Sequence, residues 1–337
     1  MNDFAGKKVI ITGATGLMGS HLAKKLLESG AEVYALGRSM AKLKMVFDSE
    51  ADNKALKLVE ADISRSLGDN TSAVDFIFHA ASPIAGNEIK TLPVDTISAN
   101  LNGAINCLEH LRKQSADGHG GKLVLFSSAT VYGNPVKDEN DVTVTEEQTG
   151  SADALHTPNT PYSESKRMIE VLASAYYRQY GVDSVIARIG YVYGYSKSKP
   201  DTAFYEFINE AVSGQNIVLN NSGMGRRDNI HVDDVVNGLM LIASSGASTE
   251  AYNISSNGDL GNFKAIDEIA AIMADSVNRM RTDRTVNAVV KPMEGKRKPG
   301  MKLDNSKLKA LGWNVGVSLE DGIYKTIHSY LNDMEQK

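Results

Sequence analysis

The sequence predicts an α/β fold, a Rossmann-type doubly wound parallel sheet with a smaller C-terminal region that binds substrate. Three observations predict it. Short runs of Val, Ile, Leu and Phe alternate with helical patterns through the first half of the chain, as expected for strands covered on both faces. The first run leads directly into spaced glycines, Gly13, Gly16 and Gly19, and a helical pattern follows at once. The length of 337 residues suits one large α/β domain or two closely joined ones.

The apolar runs and their periodicity predict the elements in chain order. Strands are predicted at 8–12, 32–36, 56–60, 74–79, 122–127 and 183–188. Helices are predicted at 17–29, about 95–114, and 162–180. The polar and acidic stretch 134–161 is expected to be a long loop near the ligand. We therefore expect a dinucleotide-binding domain over 1–188 and a mainly substrate-binding region over 189–337, with one strand and helix near 230–256 returning to the sheet.

The turn after the first strand is a candidate dinucleotide site. A strand, a glycine-rich turn and a helix in that order bring backbone N–H groups to a pyrophosphate at the helix N-terminus. The coenzyme-binding residues predicted in this turn are Gly13, Thr15, Gly16, Leu17, Met18 and Gly19. A glycine-rich turn without a ligand is the alternative interpretation.

The ends of the next three strands bear on the identity of the coenzyme. An acidic residue at the end of the second strand would bind the 2′-hydroxyl of NAD, but the chain has Arg38 and Ser39 there. These residues could pair with the 2′-phosphate of NADP, although Arg38 could also be a solvated surface cation. The coenzyme is therefore expected to be NADP or NAD, and Arg38 favours NADP. Further coenzyme contacts are predicted after the third and fourth strands, at Asp62, Ile63, Ala80, Ala81 and Ser82. Asp62 could equally be a turn residue, and His79 could be either a ligand or a packed core residue.

Two motifs carry the predicted chemistry. The fifth strand ends in Ser127 and Ser128, and the helix after the long loop carries Tyr162 and Lys166, which share one helix face. A tyrosine with a pKa near ~10 is a poor base at neutral pH, but a nearby ammonium and a positively charged nicotinamide would lower that pKa. A serine hydroxyl on the strand end can bond the oxygen that gains or loses the proton.

The composition excludes several functional classes. A net charge of −5 argues against nucleic-acid binding, which needs a basic face. There is no apolar run near the ~18 residues of a membrane span and no export leader, so we expect a cytoplasmic protein without a membrane partner. The single cysteine, Cys107, is expected to be a core side chain, and the scattered histidines predict no metal site.

Taken together, the motifs resemble the extended short-chain dehydrogenase/reductases, and within them the nucleotide-sugar epimerase/dehydratase group, most closely UDP-galactose 4-epimerase. The motifs are GATGLMG, ADIS, HAAS, ANLNG, FSSATVYG, YSESK, GRRDNIHVDDVV and LDNSKLKALGW. The resemblance implies that Ser128, Tyr162 and Lys166 form the catalytic triad and that Asn100 supports the active site. Asn100, Tyr162 and Lys166 are also predicted to contact the coenzyme, the lysine through the ribose hydroxyls. It also implies that Arg227 and Arg297 clamp the diphosphate of a nucleotide sugar, although both could be ordinary surface cations.

Departures from the group narrow the reaction. Dehydratases of this group carry an Asp-Glu pair where Ala129 and Thr130 stand, and decarboxylases carry a glutamate at the latter position. Tyr191 stands where an asparagine usually touches the substrate, so Thr130 and Tyr191 are both predicted to contact it. The interpretation favoured is hydride transfer at carbon 4 of a nucleotide-linked hexose by a 4-epimerase. The alternatives are an NADPH-dependent 4-keto-sugar reductase, a decarboxylase-like enzyme and a non-catalytic dinucleotide-binding protein.

The helix that begins at Tyr162 is apolar on more than one face. A helix that only covers a sheet needs one apolar stripe. The surplus predicts a second buried surface, and the resemblance implies a homodimer that pairs this helix with the one at 95–114. Burial under the C-terminal region of the same chain is the alternative.

Overall fold

A computed structural model of the chain describes residues 3–68, 73–83, 86–136, 138–148, 154–219, 223–283, 285–290 and 298–335, with the backbone alone at 86–88. The strands are β1 (Lys8–Thr12), β2 (Glu32–Gly37), β3 (Leu56–Glu60), β4 (Phe76–His79), β5 (Lys122–Ser128), β6 (Val142–Val144), β7 (Asp183–Ile189), β8 (Tyr191–Tyr193), β9 (Ile217–Leu219), β10 (Arg226–His231), β11 (Ala251–Ile254), β12 (Phe263–Ala265), β13 (Ala288–Val290) and β14 (Met301–Leu303). The α-helices are α1 (Leu17–Glu28), α2 (Met40–Val46), α3 (Gly86–Thr91), α4 (Pro93–Ala116), α5 (Thr160–Tyr180), α6 (Ala203–Val212), α7 (Val232–Ser245), α8 (Ile266–Met280), α9 (Ser306–Lys309) and α10 (Leu319–Glu335).

Seven parallel strands form the central sheet, in the order β11-β7-β5-β4-β1-β2-β3. The chain runs from β1 outward to β3 and then crosses back to β4 on the other side of β1. This reversal opens a crevice at the carboxyl ends of β1 and β4, where open α/β sheets bind ligands. The predicted doubly wound parallel sheet is confirmed.

Alternate residues of the strands face two layers of helices. Val9 and Ile11 of β1 pack in the core cluster that contains residues of α1 and α7, whereas Ile10 packs in the cluster that contains residues of α4 and α5. Both faces of the sheet are therefore dry, which explains why the strands are continuous apolar runs in the sequence. The buried thiol of Cys107 belongs to the second cluster, and burial raises its pKa.

The predicted element bounds differ from the observed ones by a few residues. The fourth strand begins at Phe76, and the helices α4 and α5 begin at Pro93 and Thr160, two residues before the predicted starts. Each of these two helices has a proline in its first turn, where the missing N–H costs no hydrogen bond.

The region after β7 combines small sheets with one strand that returns to the large sheet. Strand β11 pairs with β7, and the other late strands form the small sheets β12-β10-β8, β13-β9 and β14-β6. Within the predicted loop 134–161, Val142–Val144 form β6, which pairs with β14 near the C-terminus, whereas residues 137 and 149–153 lie outside the described residues. The substrate side of the crevice is thus joined to the late part of the chain.

The described residues contain neither a membrane-spanning helix nor a cluster of metal ligands. None of their helices is long and apolar enough to cross a bilayer. No group of three or more His, Cys, Asp or Glu side chains among them is placed to hold a metal ion.

Candidate active site

A cavity of about 800 Å³ opens at the carboxyl ends of β1 to β5. Its volume is in the range of small-molecule sites. Predicted coenzyme residues that line it are Gly13, Thr15, Gly16, Leu17, Met18, Gly19, Arg38, Asp62, Ile63, Ala80, Ala81, Ser82 and Tyr162. The lining also contains residues that the sequence analysis did not name, among them the start of α4, the segment 200–207 and the start of α8, none of which carries a recognisable motif.

The glycine turn fits a pyrophosphate because its backbone packs too closely on its neighbours for side chains, which leaves the N-terminus of α1 open. Gly13 has a φ of +66°, and a Cβ there would lie 2.7 Å from the backbone of Ala81. A Cβ on Gly19 would lie 2.4 Å from the carbonyl oxygen of Gly13. Gly16 is the N-cap of α1, so the first N–H groups of that helix are available to an anion. These residues fit a dinucleotide coenzyme.

The adenosine end of the cavity combines one cation with nearby carboxylates. Arg38 is exposed and has no hydrogen-bond or ion-pair partner among the described residues. Ser39, predicted as a possible phosphate ligand, instead caps α2 by accepting the N–H of Lys42 at 3.3 Å. The carboxylate of Glu60 accepts the N–H of Met40 at 3.2 Å, so a negative charge also lies beside this turn. The local charges therefore do not favour a 2′-phosphate as clearly as the sequence suggests.

Asp62 lines the cavity and also stabilises a turn. Its carboxylate accepts the N–H of Ser64 at 3.1 Å and the hydroxyl of Ser64 at 2.7 Å. The side-chain hydrogen bond from Ser64 holds the pKa of Asp62 below its usual value. Both interpretations of this residue, turn former and ligand contact, are therefore compatible with its position.

His79 is a packed core residue. Its ring is 1% exposed, and its Nδ1 lies 2.9 Å from the hydroxyl oxygen of Thr12. The same hydroxyl oxygen accepts the N–H of Ala81 at 3.1 Å. Burial lowers the pKa of His79 to about 3, so the ring is neutral. Its hydrogen bond to Thr12 links the ends of β1 and β4 beneath the glycine turn.

The hydroxyl of Tyr162 meets the hydroxyls of Ser128 and Ser82 in the cavity. Burial raises the pKa of its hydroxyl, whereas hydrogen bonds with Ser128 and Ser82 oppose that rise. All three residues line the cavity. The structure thus places the predicted tyrosine and serine together, and it adds Ser82, which sequence reasoning had assigned to coenzyme contact alone.

Lys166 lies behind Tyr162 rather than in the cavity lining. Its Nζ donates to the carbonyl oxygen of Phe126 at 2.7 Å and lies 5.7 Å from the centroid of the Tyr162 ring. Burial lowers the pKa of Lys166 to about 7. The expected lowering of the tyrosine pKa is not found in the protein alone, because burial outweighs the hydrogen bonds from the two serines.

Asn100 also lies behind the lining, fully buried, although the sequence predicts a coenzyme contact. Its Oδ1 accepts the hydroxyl of Ser82 at 2.7 Å, and its Nδ2 donates to the hydroxyl of Ser165 at 2.8 Å. Ser165 in turn donates to the carbonyl oxygen of Tyr162 at 2.9 Å. This chain of bonds orients Ser82 relative to the start of α5.

A largely buried ion pair joins α5 to β7 and to the end of β5 beneath the site. Arg188 on β7 donates from Nη2 to Glu170 Oε2 at 2.8 Å and from Nε to Oε1 at 3.1 Å. The hydroxyl of Ser127, next to Ser128, donates to Glu170 Oε1 at 2.5 Å. Glu170 lies two turns after Tyr162 on α5, and this spacing is the only signal in the sequence that could have identified it.

The predicted substrate residues have different positions. Arg227 and Tyr191 line the cavity, and the guanidinium of Arg227 lies 5.0 Å from the centroid of the Tyr191 ring. Thr130 is exposed and does not line the cavity, because it lies in the turn after β5, where its N–H donates to the hydroxyl of Ser128 at 3.2 Å. Arg297 lies outside the described residues.

Comparison with known proteins identifies the family. Residues 9–255 match the NAD dependent epimerase/dehydratase family. This chain belongs to that family. UDP-glucuronic acid decarboxylase 1 of Danio rerio is 30% identical over 336 residues, which cover 98% of this chain and 74% of the relative. The dTDP-glucose 4,6-dehydratase of Escherichia coli is 28% identical over 352 residues, covering 97% and 94% of the two chains.

A solved structure supports the same fold. UDP-glucose 4-epimerase from Thermotoga maritima, determined with UDP-glucose, superposes with a TM-score of 0.77 at 22% identity, covering 97% of this chain and 99% of that one. The three similar proteins catalyse three different reactions. The comparisons therefore establish an NAD-dependent nucleotide-sugar family, and the reaction must be inferred from the site.

Proposed function

We propose that this chain is a nucleotide-sugar 4-epimerase that transfers hydride at carbon 4 of a nucleoside-diphosphate hexose. The observation that carries the proposal is the meeting of the hydroxyls of Tyr162 and Ser128 in the cavity, with Lys166 behind the tyrosine ring. A hydroxyl acid–base pair supported by an ammonium suits removal of a proton from a sugar alcohol. The glycine turn supplies the matching site for a dinucleotide.

In this mechanism Tyr162 takes the proton of the carbon-4 hydroxyl and Ser128 hydrogen-bonds the same oxygen as it becomes a ketone. The glycine turn and residues 61–63 and 80–82 would hold NAD(P), which when bound would supply the acceptor for the carbon-4 hydride and its donor on return. Lys166 stabilises the tyrosinate with its positive charge. Arg227 and Arg297 hold the diphosphate by charge-assisted hydrogen bonds, so that the keto sugar can turn over without leaving. Tyr162 then returns the proton to the oxygen, and the sugar is inverted at carbon 4 without net oxidation.

Water elimination and decarboxylation, which the similar dehydratase and decarboxylase carry out, are less well supported here. The resemblance implies that those enzymes use carboxylates at the positions of Ala129 and Thr130. Neither residue can act as an acid or base, and Thr130 lies outside the cavity lining. Epimerisation requires neither carboxylate, because the hydride returns to carbon 4 and the proton returns to the oxygen on that carbon.

A 4-keto-sugar reductase is the second candidate, and Arg38 favours it. An exposed cation at the adenosine end suits the 2′-phosphate of NADPH, and a reductase would run only the return half of the mechanism. Such an enzyme would be purified without a dinucleotide and would bind NADPH more tightly than NADH. An epimerase would retain stoichiometric NAD, which mass spectrometry of the denatured protein would identify.

Replacement of the base tests the proposal. Tyr162→Phe should lower turnover of a panel of UDP- and dTDP-hexoses by roughly 100-fold or more, because the proton acceptor is lost, while binding of the nucleotide is retained. Tyr177→Phe is the matched control, since Tyr177 lies exposed on the same helix. Full activity of the Tyr162 variant would refute the assignment.

A further inference from the structure

The hydroxyl oxygen of Tyr162 contacts a second serine, Ser82, to which the mechanism above gives no role. Both Ser128 and Ser82 meet this oxygen and line the cavity. Ser128 ends β5 and is assigned to the sugar oxygen, whereas Ser82 lies three residues after the end of β4. Since the two hydroxyls approach Tyr162 from different strands, they can act on it in different ways.

A backbone carbonyl at the start of α5 fixes the direction of each hydrogen bond around Ser82. The carbonyl oxygen of Tyr162 can only accept, so the hydroxyl hydrogen of Ser165 points to it at 2.9 Å. Ser165 therefore accepts from Nδ2 of Asn100 at 2.8 Å, which turns Oδ1 of the same amide towards Ser82 at 2.7 Å. Because an amide oxygen can only accept, Ser82 is the donor in that last bond.

Ser82 has one hydroxyl hydrogen, and the strongest claims on it come from Asn100 Oδ1 and from Tyr162. While Tyr162 is a phenol it can donate to Ser82, and Ser82 can donate to Asn100, so both bonds are made. A phenolate can only accept, and it draws the Ser82 hydrogen to itself. A charge-assisted bond of this kind is about twice as strong as one to a neutral oxygen. The exchange of partners therefore favours ionisation of Tyr162.

The chain of bonds behind Ser82 is packed in the protein interior, because Asn100 is fully buried and Ser165 is 4% exposed. Two ionisable groups lie close to Tyr162 from other directions. Lys166 on α5 is 5.7 Å from the centroid of the tyrosine ring, and His79 on β4 is neutral. The charged side chains in the described lining of the cavity are Arg38, Asp62, Asp95 and Arg227. All of these groups are retained when Ser82 is replaced.

We propose that Ser82 is a catalytic hydroxyl that stabilises the tyrosinate form of Tyr162 by turning its hydrogen from Asn100 Oδ1 to the phenolate oxygen. Asn100 and Ser165 are positioning residues, because they set the direction of the Ser82 hydroxyl. When Tyr162 takes the proton of the sugar hydroxyl, the Ser82 hydrogen returns to Asn100, and no covalent bond of Ser82 forms or breaks. The inference rests on the proposed function in taking Tyr162 as the base.

The test is the ionisation of Tyr162 in the coenzyme-loaded protein without any sugar, followed by NMR of tyrosine labelled with ¹³C at Cζ. The resonance of Tyr162 is the one that disappears in Tyr162→Phe. Ser82→Ala should raise the pKa of Tyr162 by about one pH unit, because a charge-assisted bond is lost. Ser82→Thr keeps the hydroxyl and should restore the original pKa. Ser163→Ala is the matched control, since that hydroxyl bonds to the carbonyl oxygens of Asn159 and Thr160.

The pH dependence of turnover separates this role from a loss of packing. The base must be ionised to act, so a higher pKa of Tyr162 leaves less of the active form at low pH. In Ser82→Ala, kcat on the acidic side of the profile should fall about tenfold, and the deficit should disappear at alkaline pH. A packing defect would lower kcat by a similar factor at every pH.

Three outcomes would overturn the proposal. The first is an unchanged or lower pKa of Tyr162 in Ser82→Ala. The second is a shift in Ser82→Thr as large as in Ser82→Ala, which would attribute the effect to packing. The third is a fall in kcat that does not depend on pH. Turnover also tests the proposed function separately: a raised pKa in Ser82→Ala, in a protein that forms no carbon-4 epimer, would refute that function and leave the action of Ser82 on Tyr162 standing.

Discussion

At the scale of single residues, the spacing of Tyr162 and Lys166 is predictable, whereas their environment is not. The four-residue interval places both on one helix face from sequence alone. The depth of Lys166 depends on how α5 packs on β5, where its ammonium meets the carbonyl oxygen of Phe126. The same holds for Asn100, whose partners Ser82 and Ser165 lie 18 and 65 residues away in the chain. Contacts between distant segments leave no periodic signal.

Burial of Lys166 should cost stability in a pH-dependent way. Its pKa falls from 10.5 to about 7 in the fold, so below pH 7 the buried ammonium is charged and the cost is complete. As pH rises above 7 the folded protein releases the proton before the unfolded chain does, and the cost declines. Lys166→Met should therefore stabilise the coenzyme-free protein, on the order of 2 kcal/mol at pH 6 and less at pH 9, while abolishing activity.

Thermal unfolding at the two pH values measures this effect. Lys42→Met, a change at an exposed lysine, serves as the control and should show no such trend. A lower Tm for Lys166→Met at pH 6, or a difference that does not change with pH, would contradict the account of this lysine.

At the scale of elements, the central strands and helices were largely predictable from the sequence. The contacts that join distant elements were not. Continuous apolar runs predict buried parallel strands, and the spaced glycines predict the first turn. The pairing of β6 with β14 was missed because three-residue strands carry little pattern. The Glu170–Arg188 pair, which ties α5 to β7 and to the end of β5, was missed for the same reason as the Asn100 contacts.

Glu170 should position the catalytic groups. Glu170→Gln removes one charge of a buried pair whose side chains are 14% and 13% exposed, and it should destabilise the protein by about 2 kcal/mol or more. Loosening of α5 against Ser127 should also lower kcat roughly tenfold with little change in KM, because catalysis depends on the placement of Tyr162 against Ser128.

Glu250→Gln is the matched control for this substitution. Glu250 forms an ion pair with Lys307 but is about half exposed, so its loss should cost less than about 0.5 kcal/mol and leave kcat unchanged. Unfolding in urea and steady-state kinetics give both quantities. A folded Glu170 variant with the kcat of the unmodified protein would refute the positioning role.

At the scale of the whole molecule, the outer faces of α4 and α5 remain apolar. Met168 and Val171 on α5 are 48% and 57% exposed, and Val94 on α4 is 71% exposed. The C-terminal region does not cover these side chains, although the sequence left that alternative open. The two helices pack side by side, so their outer faces adjoin. We propose that two copies of the chain pair through these faces.

Val171→Glu should convert the proposed dimer to a monomer, because a carboxylate would be buried at the centre of the surface. Val289→Glu, at an exposed valine on β13, is the control and should stay dimeric. Analytical ultracentrifugation distinguishes the two states. A monomeric unmodified protein at micromolar concentration, or a dimeric Val171→Glu variant, would contradict the proposal.

The most direct test of carbon-4 hydride transfer uses a UDP-hexose deuterated at carbon 4. The mechanism predicts that the label returns to the same carbon, so mass spectrometry and NMR should find the 4-epimer with deuterium at carbon 4 and no net reduction of coenzyme. Transfer of the label to another carbon, its loss to water, or its accumulation on a released dinucleotide would contradict the account.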